Sequence, residues 1–200
     1  KGEYQASPLC RLRSQRYVEW ICAAYAVYTQ YNHKTLGVIG GLSDQEKESS
    51  QDRIKLTLSE GWGINGRDDV TEVINKLLIK GHRETYLKTV KKLEKKGLLE
   101  LSTEEAMTNF SEDDEEFARY QDAHEMYTQY GEHGMDGWDY SRALQVLGDC
   151  YLADISIWKN VWICLFRSQK SFRVHLRAGK NWQTAIYMDM RSGRMKQRTM

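Results

Sequence analysis

Apolar residues recur along most of this chain at spacings of three and four, the period of a helix buried on one side. The clearest run is Val70, Val73, Ile74, Leu77 and Leu78. Asp68 and Asp69 fall in its first turn, where carboxylates complement the helix dipole, and Asn65 is placed as an N-cap. Gly81 stands where a left-handed residue ends a helix. Tyr86, Val90 and Leu93 predict the next helix, from His82 to Lys96, closed by Gly97.

Tyr17, Ile21, Ala24, Tyr28 and Tyr31 share one face of a first helix over residues 9–32. The glycine-rich polar stretch that follows reads as a loop, with a second helix over residues 52–60. Ser102 or Thr103, with Glu105 or Glu104, forms a capping box. Phe117, Tyr120, His124 and Tyr127 then share a face. Tyr140, Leu144, Leu147 and Tyr151 predict a helix over residues 136–150, and Trp158, Val161, Trp162, Leu165 and Phe166 predict another. A short helix over residues 182–190 and a frayed basic tail, 191–200, complete the expected elements.

Composition agrees with this pattern. The chain has 200 residues and a single proline, so helices are seldom interrupted. The expected fold is all-α, a single compact domain over residues 1–200 with about seven to nine helices. Six Trp and twelve Tyr lead to the expectation of an aromatic-rich core. The formal net charge of +1 gives no global field that calls for nucleic acid. Lys88, Lys91, Lys92, Lys95 and Lys96 read as a solvated face, because no aromatic residues interleave with them along the sequence.

Cys10, Cys22, Cys150 and Cys164 show no CxxC spacing, so reduced thiols and a cytoplasmic setting are expected. The start has no apolar signal-peptide core, and ISIWKNVWICLF is too short and too interrupted to span a bilayer. No membrane association is expected.

Two segments carry a family resemblance. One is GWGINGRDDVTEVINKLLIKGHRETY, and the other is GWDYSRALQVLGDCYLADIS with the Trp-containing stretch after it. Together they hold a Trp-Gly-Ile turn, an Arg-acidic helix start, a helix ending in Gly-His-Arg, and a later Trp-Asp-x-x-Arg helix. In this order the chain resembles the bacterial family catalogued as domain of unknown function 1266, over roughly residues 17–185. The resemblance puts Trp62, Gly63, Ile64, Arg67, Gly81, His82, Arg83, Trp138, Asp139 and Arg142 at signature positions. Near the end the chain departs from the family, with Ser171-Phe172 and Gly179-Lys180 in place of Ser-Trp and Gly-Arg pairs. The resemblance supplies no reaction, and implies an accessory protein, in some relatives encoded near intercellular-competition loci.

The candidate chemistry rests on His82, Arg83, Asp139 and Arg142. Asp139 and Arg142 lie three apart on a helix and are within reach of each other, as a structural clamp or as an anion grip. His82 at a helix start is a candidate general base if an aspartate, Asp139 or Asp136, is brought to it. The plainer reading is that His82 and Arg83 bond across a helix joint. Scattered histidines without HxxxH or HExxH spacing predict no metal and no cofactor, and His124 reads as a satisfied core histidine.

The expected function is a non-enzymatic protein-binding module, an immunity or accessory protein that binds and neutralises a protein partner. Its acidic run, Glu112, Asp113, Asp114, Glu115 and Glu116, is the candidate contact for a basic toxin. The alternative is a hydrolytic or nucleotide-directed enzyme or toxin domain using the His/Arg/Asp cluster.

Overall fold

The computed structural model describes residues 18–111 and 116–155. Their regular elements are all helices, with no strand among the described residues. Helical residues 18–24 lead across a turn at Tyr25 into α1 (Ala26–Tyr31). There follow α2 (Asp44–Trp62), α3 (Arg67–Ile79), α4 (Arg83–Lys95), α5 (Thr103–Met107), α6 (Phe117–Tyr130) and α7 (Asp136–Leu152). The helices expected beyond residue 155, the basic tail, Cys10 and Cys164 lie outside the described residues.

The described residues fall into two compact units, one of residues 18–75 with 141–155, the other of Lys76–Tyr140. In the first unit α2 begins earlier than its apolar pattern suggests. Ser43 and Glu46 form a capping box at its start, so residues 44–52 of the segment expected to be a loop are helix. The period was hidden because α2 is mostly polar, with Ile54 and Leu58 its buried apolar residues. At its other end the amides of Gly63 and Ile64 take the carbonyls of Ser59 and Leu58, at 3.0 and 2.9 Å. Gly63 is left-handed, and Ile64 is fully buried.

Gly40 and Gly41 have a packing role in this unit. Gly40 donates its amide to the Tyr25 hydroxyl at 3.0 Å, and a Cβ at Gly40 would overlap Leu152. Gly148 of α7 faces the Gly40 backbone as closely, with no room for a side chain on either glycine. Lys34 pairs with Asp149 at 2.8 Å. Asn65 does not cap α3 as expected: its side-chain oxygen accepts from Ser59, while Asp69 reaches back to the amides of Asn65 and Gly66 at 2.8 and 2.9 Å.

In the second unit α4 packs on α6, and α5 packs on α6. Tyr86, Val90 and Leu93 are buried as their spacing predicts, and Gly97 is left-handed. The capping box at Ser102 and Glu105 is formed. His124 is satisfied on both ring nitrogens, by Thr103 and by the Leu98 carbonyl, each at 2.9 Å.

Among the described residues the interior is not the aromatic-rich core expected. Buried side chains are mostly Leu, Ile, Val, Ala and Met, joined by Tyr25, Tyr86, Tyr120, Trp138 and Tyr140. Tyr28, Tyr31, Trp62, Tyr127, Tyr130 and Tyr151 stay half-exposed. The cause is the polar tip of these rings, which holds them at the boundary where it can reach water or a partner.

Candidate functional site

The joint between α3 and α4 shows how the signature residues are used. Gly81 closes α3 with φ +50°, its amide bonded to the Lys76 carbonyl at 3.1 Å. The first amides of α4 then need acceptors that the helix itself does not supply. Asp139, fully buried on α7, provides both: His82 N–H donates to its Oδ1 at 2.7 Å and Arg83 N–H to its Oδ2 at 2.9 Å. A carboxylate from another helix thus acts as the N-cap that His82 lacks. A Cβ at Gly81 would overlap this carboxylate, so glycine is required both for the turn and for the approach.

Arg83 turns back over the end of α3. Its guanidinium donates to the carbonyls of Leu77, at 3.1 Å, and Leu78, two of the acceptors left open at a helix C-terminus. It also donates to Asp136 at 3.2 Å and to the Tyr140 hydroxyl at 3.1 Å, and lies over the Tyr140 ring. Burial opposes its charge, but Tyr140, Asp136 and Asp139 outweigh it and raise its pKa above the ordinary arginine value.

Two imidazoles stand at the rim. His82 Nδ1 is 3.6 Å from Asp139 Oδ1, with its ring edge-on to Trp138. His133 Nδ1 is 3.0 Å from Asp136 Oδ2. Both histidine side chains are about half exposed, at 48% and 60%, while the aspartates behind them are buried. In the sequence His133 enters only as a weak metal-ligand candidate with His82 and His124, and not as a partner of Asp136. The signal was its place three residues before Asp136, itself three before Asp139, on what becomes the first turn of α7.

Of the four candidates, then, His82, Arg83 and Asp139 meet in the second unit. Arg142 belongs to the first unit, where its guanidinium lies 5.0 Å from the Trp62 ring centroid. Arg67 in that unit donates to the Ile155 carbonyl at 3.2 Å. The signature positions fall into two groups, Trp62, Gly63, Ile64, Arg67 and Arg142 in one unit and Gly81, His82, Arg83, Trp138 and Asp139 in the other.

Glu112, Asp113, Asp114 and Glu115 lie outside the described residues. Glu116 pairs with Arg119, lies 3.6 Å from Lys92, and accepts from the Tyr120 hydroxyl at 2.8 Å. The lysine face has aromatic neighbours after all: Lys96 stands 4.4 Å over Phe110, which stacks on Tyr120. These rings come from other parts of the chain, which is why the sequence pattern did not show them. Among the described residues no group of three or more His, Cys, Asp or Glu is arranged to hold a metal ion.

The fold is all-helical, and Gly81, Arg83 and Asp139 lock the joint between two helices. The chain belongs to the family described as "Protein of unknown function (DUF1266)", whose profile matches residues 57–169. That span holds every signature residue named above and is narrower than the resemblance read from the sequence. No curated protein and no solved structure matches the chain.

Proposed function

We propose that this protein is a binding module that captures and neutralises a protein partner, in the manner of an immunity or accessory protein. One observation supports this reading above others: both oxygens of Asp139 and Nη2 of Arg83 are spent on backbone groups at a helix joint, and Nη1 of Arg83 on Asp136 and Tyr140. The residues best suited to chemistry are thereby committed to architecture. The free, buried thiols Cys22 and Cys150 fit a reducing compartment, in line with a cytoplasmic setting. No helix among the described residues is long and apolar enough to cross a membrane. A basic toxin held by the acidic run remains part of the proposal, although Glu116 is already engaged within the chain.

The test is affinity capture from the native host's lysate at moderate salt, read by mass spectrometry. A stoichiometric protein partner, retained by folded His82→Ala protein, is the expected result. Capture of no protein would sink the reading.

A second reading has an observation of its own. His82 and His133 each direct Nδ1 toward a buried carboxylate, the arrangement that orients an imidazole for proton transfer. On that reading the protein is a hydrolytic or nucleotide-directed enzyme. A turnover abolished in folded His82→Ala or His133→Ala protein would establish it at the expense of the first. Arg142→Lys, which loses the planar fork, tests whether Arg142 serves the same site.

A further inference from the structure

Asn65 and Gly66 form the one Asn-Gly step in the sequence, in the turn that joins α2 to α3. This dipeptide carries a reaction of its own. Glycine has no side chain to shield its nitrogen, so the Gly66 amide can attack the Asn65 carboxamide carbon. Hydroxide first takes the Gly66 amide proton. The nitrogen then bonds to Asn65 Cγ, the Cγ–Nδ2 bond breaks, and the leaving nitrogen takes a proton from water and departs as ammonia. Water opens the resulting cyclic imide at Cγ to give isoaspartate's isomer, aspartate, when the Gly66 nitrogen stays on the backbone carbonyl carbon. Opening at the backbone carbonyl carbon leaves that nitrogen on Cγ and gives isoaspartate.

Both ends of the reaction are occupied in the folded chain. The Ser59 hydroxyl on α2 donates to Asn65 Oδ1 at 2.7 Å, and Asn65 Nδ2 donates to the Gly63 carbonyl at 3.5 Å. Asp69 Oδ2 on α3 accepts from the Gly66 amide at 2.9 Å and from the Asn65 amide at 2.8 Å. The carboxamide is thus tethered to α2 and the nucleophile to α3. Taking the Gly66 proton would also create an anion against the Asp69 carboxylate, and a like charge disfavours that ionisation. Shielding from water is not the obstacle, because Asn65 is exposed and Gly66 half-exposed.

We propose that Asn65 is a latent deamidation site, held closed by Ser59 and Asp69 and converted only when the turn between α2 and α3 opens. The product keeps the turn from reclosing. Isoaspartate reroutes the backbone through the former side chain, which lengthens it by a methylene and moves the Gly66 amide off Asp69. Aspartate sets a second carboxylate beside Asp69. The site uses none of the residues of the Asp139 joint and is independent of what the protein binds.

The experiment incubates the whole chain in mildly alkaline buffer at physiological temperature. Peptide mapping by mass spectrometry follows residues 61–70, and enzymatic methyl transfer counts isoaspartate. Folded wild type should convert at least about tenfold more slowly than the same chain unfolded in urea. Asp69→Ala should speed conversion of the folded chain about tenfold, the effect of losing a hydrogen bond to a charged group. Ser59→Ala should speed it severalfold. Asp69→Asn, which keeps an acceptor without the charge, should fall between wild type and Asp69→Ala. Gly66→Ala adds a Cβ that meets nothing within 4 Å, so it should fold normally and nearly abolish conversion. Thermal melts establish which variants are folded, and Asp69→Asn with Ser59→Ala decides the matter if Asp69→Ala is not. Wild-type conversion as fast as in the unfolded chain, or rates unchanged in the folded variants, would overturn the proposal. Slower conversion in folded Asp69→Asn would overturn it in the opposite sense, making Asp69 the base that starts the reaction. Converted protein, separated by ion exchange, should show faster amide exchange in the first turn of α3, and unchanged exchange there would remove the failure to reclose.

Discussion

Asp139 ties α7 to the start of α4 in the second unit. It is a fully buried carboxylate whose charge is balanced by two backbone amides and by Arg83, 3.8 Å from its Oδ2. Removing it leaves Arg83 with reduced compensation and α4 without its cap. Asp139→Ala should therefore lower unfolding free energy by about 3–5 kcal/mol, the cost of breaking a buried pair, as read by urea denaturation. A loss under about 1 kcal/mol, within the range of an exposed pair, would show that the carboxylate is dispensable. Gly81→Ala attacks the same contact from the other side. It adds strain at φ +50° and a clash with the carboxylate, so a loss of about 3 kcal/mol is expected. Cys150 gives an independent check in the first unit. Burial, with Asp149 adding to it, pushes its thiol up to about 12. It should stay unlabelled by maleimide at pH values where exposed thiols react within minutes. Mass mapping of rapid native-state labelling at Cys150 would contradict this burial.

At the scale of elements, helix ends rather than helix faces separate what was legible from what was not. The amphipathic faces of α3 and α4 could be read from spacing alone: Val70, Ile74 and Leu77 are buried with Val73 and Leu78 half-buried beside them, and Tyr86, Val90 and Leu93 are buried together with Thr89, which the spacing did not name. The start of α2 could not be read in that way, because its first turns carry no apolar stripe. Its capping box was present in the sequence as Ser43 and Glu46 and outweighs the polar composition around it. Ser43→Ala should accordingly cost about 1 kcal/mol and speed amide exchange in the first turn of α2. Unchanged exchange there would mean that packing, and not the cap, fixes the helix start. The start of α4 is the opposite case. No side chain within its own segment caps it, so nothing local revealed that the acceptor comes from Asp139.

For the molecule as a whole, the pH dependence follows from shifted carboxylates in both units. Glu46 and Glu105 are held below the usual glutamate range by their capping serines, Glu84 by Lys88, and Asp154 by Lys47. A depressed folded-state value means that the stabilisation is present above the unfolded pKa, about 4 for these groups. It is lost as pH falls through the folded values. The melting temperature should be insensitive to these groups near neutrality and fall below about pH 4. The double variant Glu46→Gln, Glu105→Gln should flatten part of that fall. An acid limb of identical slope in wild type and variant would exclude the capping boxes as its source.

The sequence by itself determined the helical class, most helix faces, the glycine stops at Gly81 and Gly97, the capping box at Ser102 and the membership of the chain in its family. These depend on residues within one turn of each other, so their physics is local. Tertiary structure decided the rest. It decided that Asp139 caps a helix 56 residues away in the chain, that Arg83 closes α3, that Arg142 lies on Trp62, and that aliphatic rather than aromatic side chains dominate the interior of the described residues. Each of these depends on which segment supplies the missing partner for a buried polar group. Spacing along a chain does not encode that choice. It is settled only when folding removes water and every amide, carbonyl and charge must find its partner inside the protein.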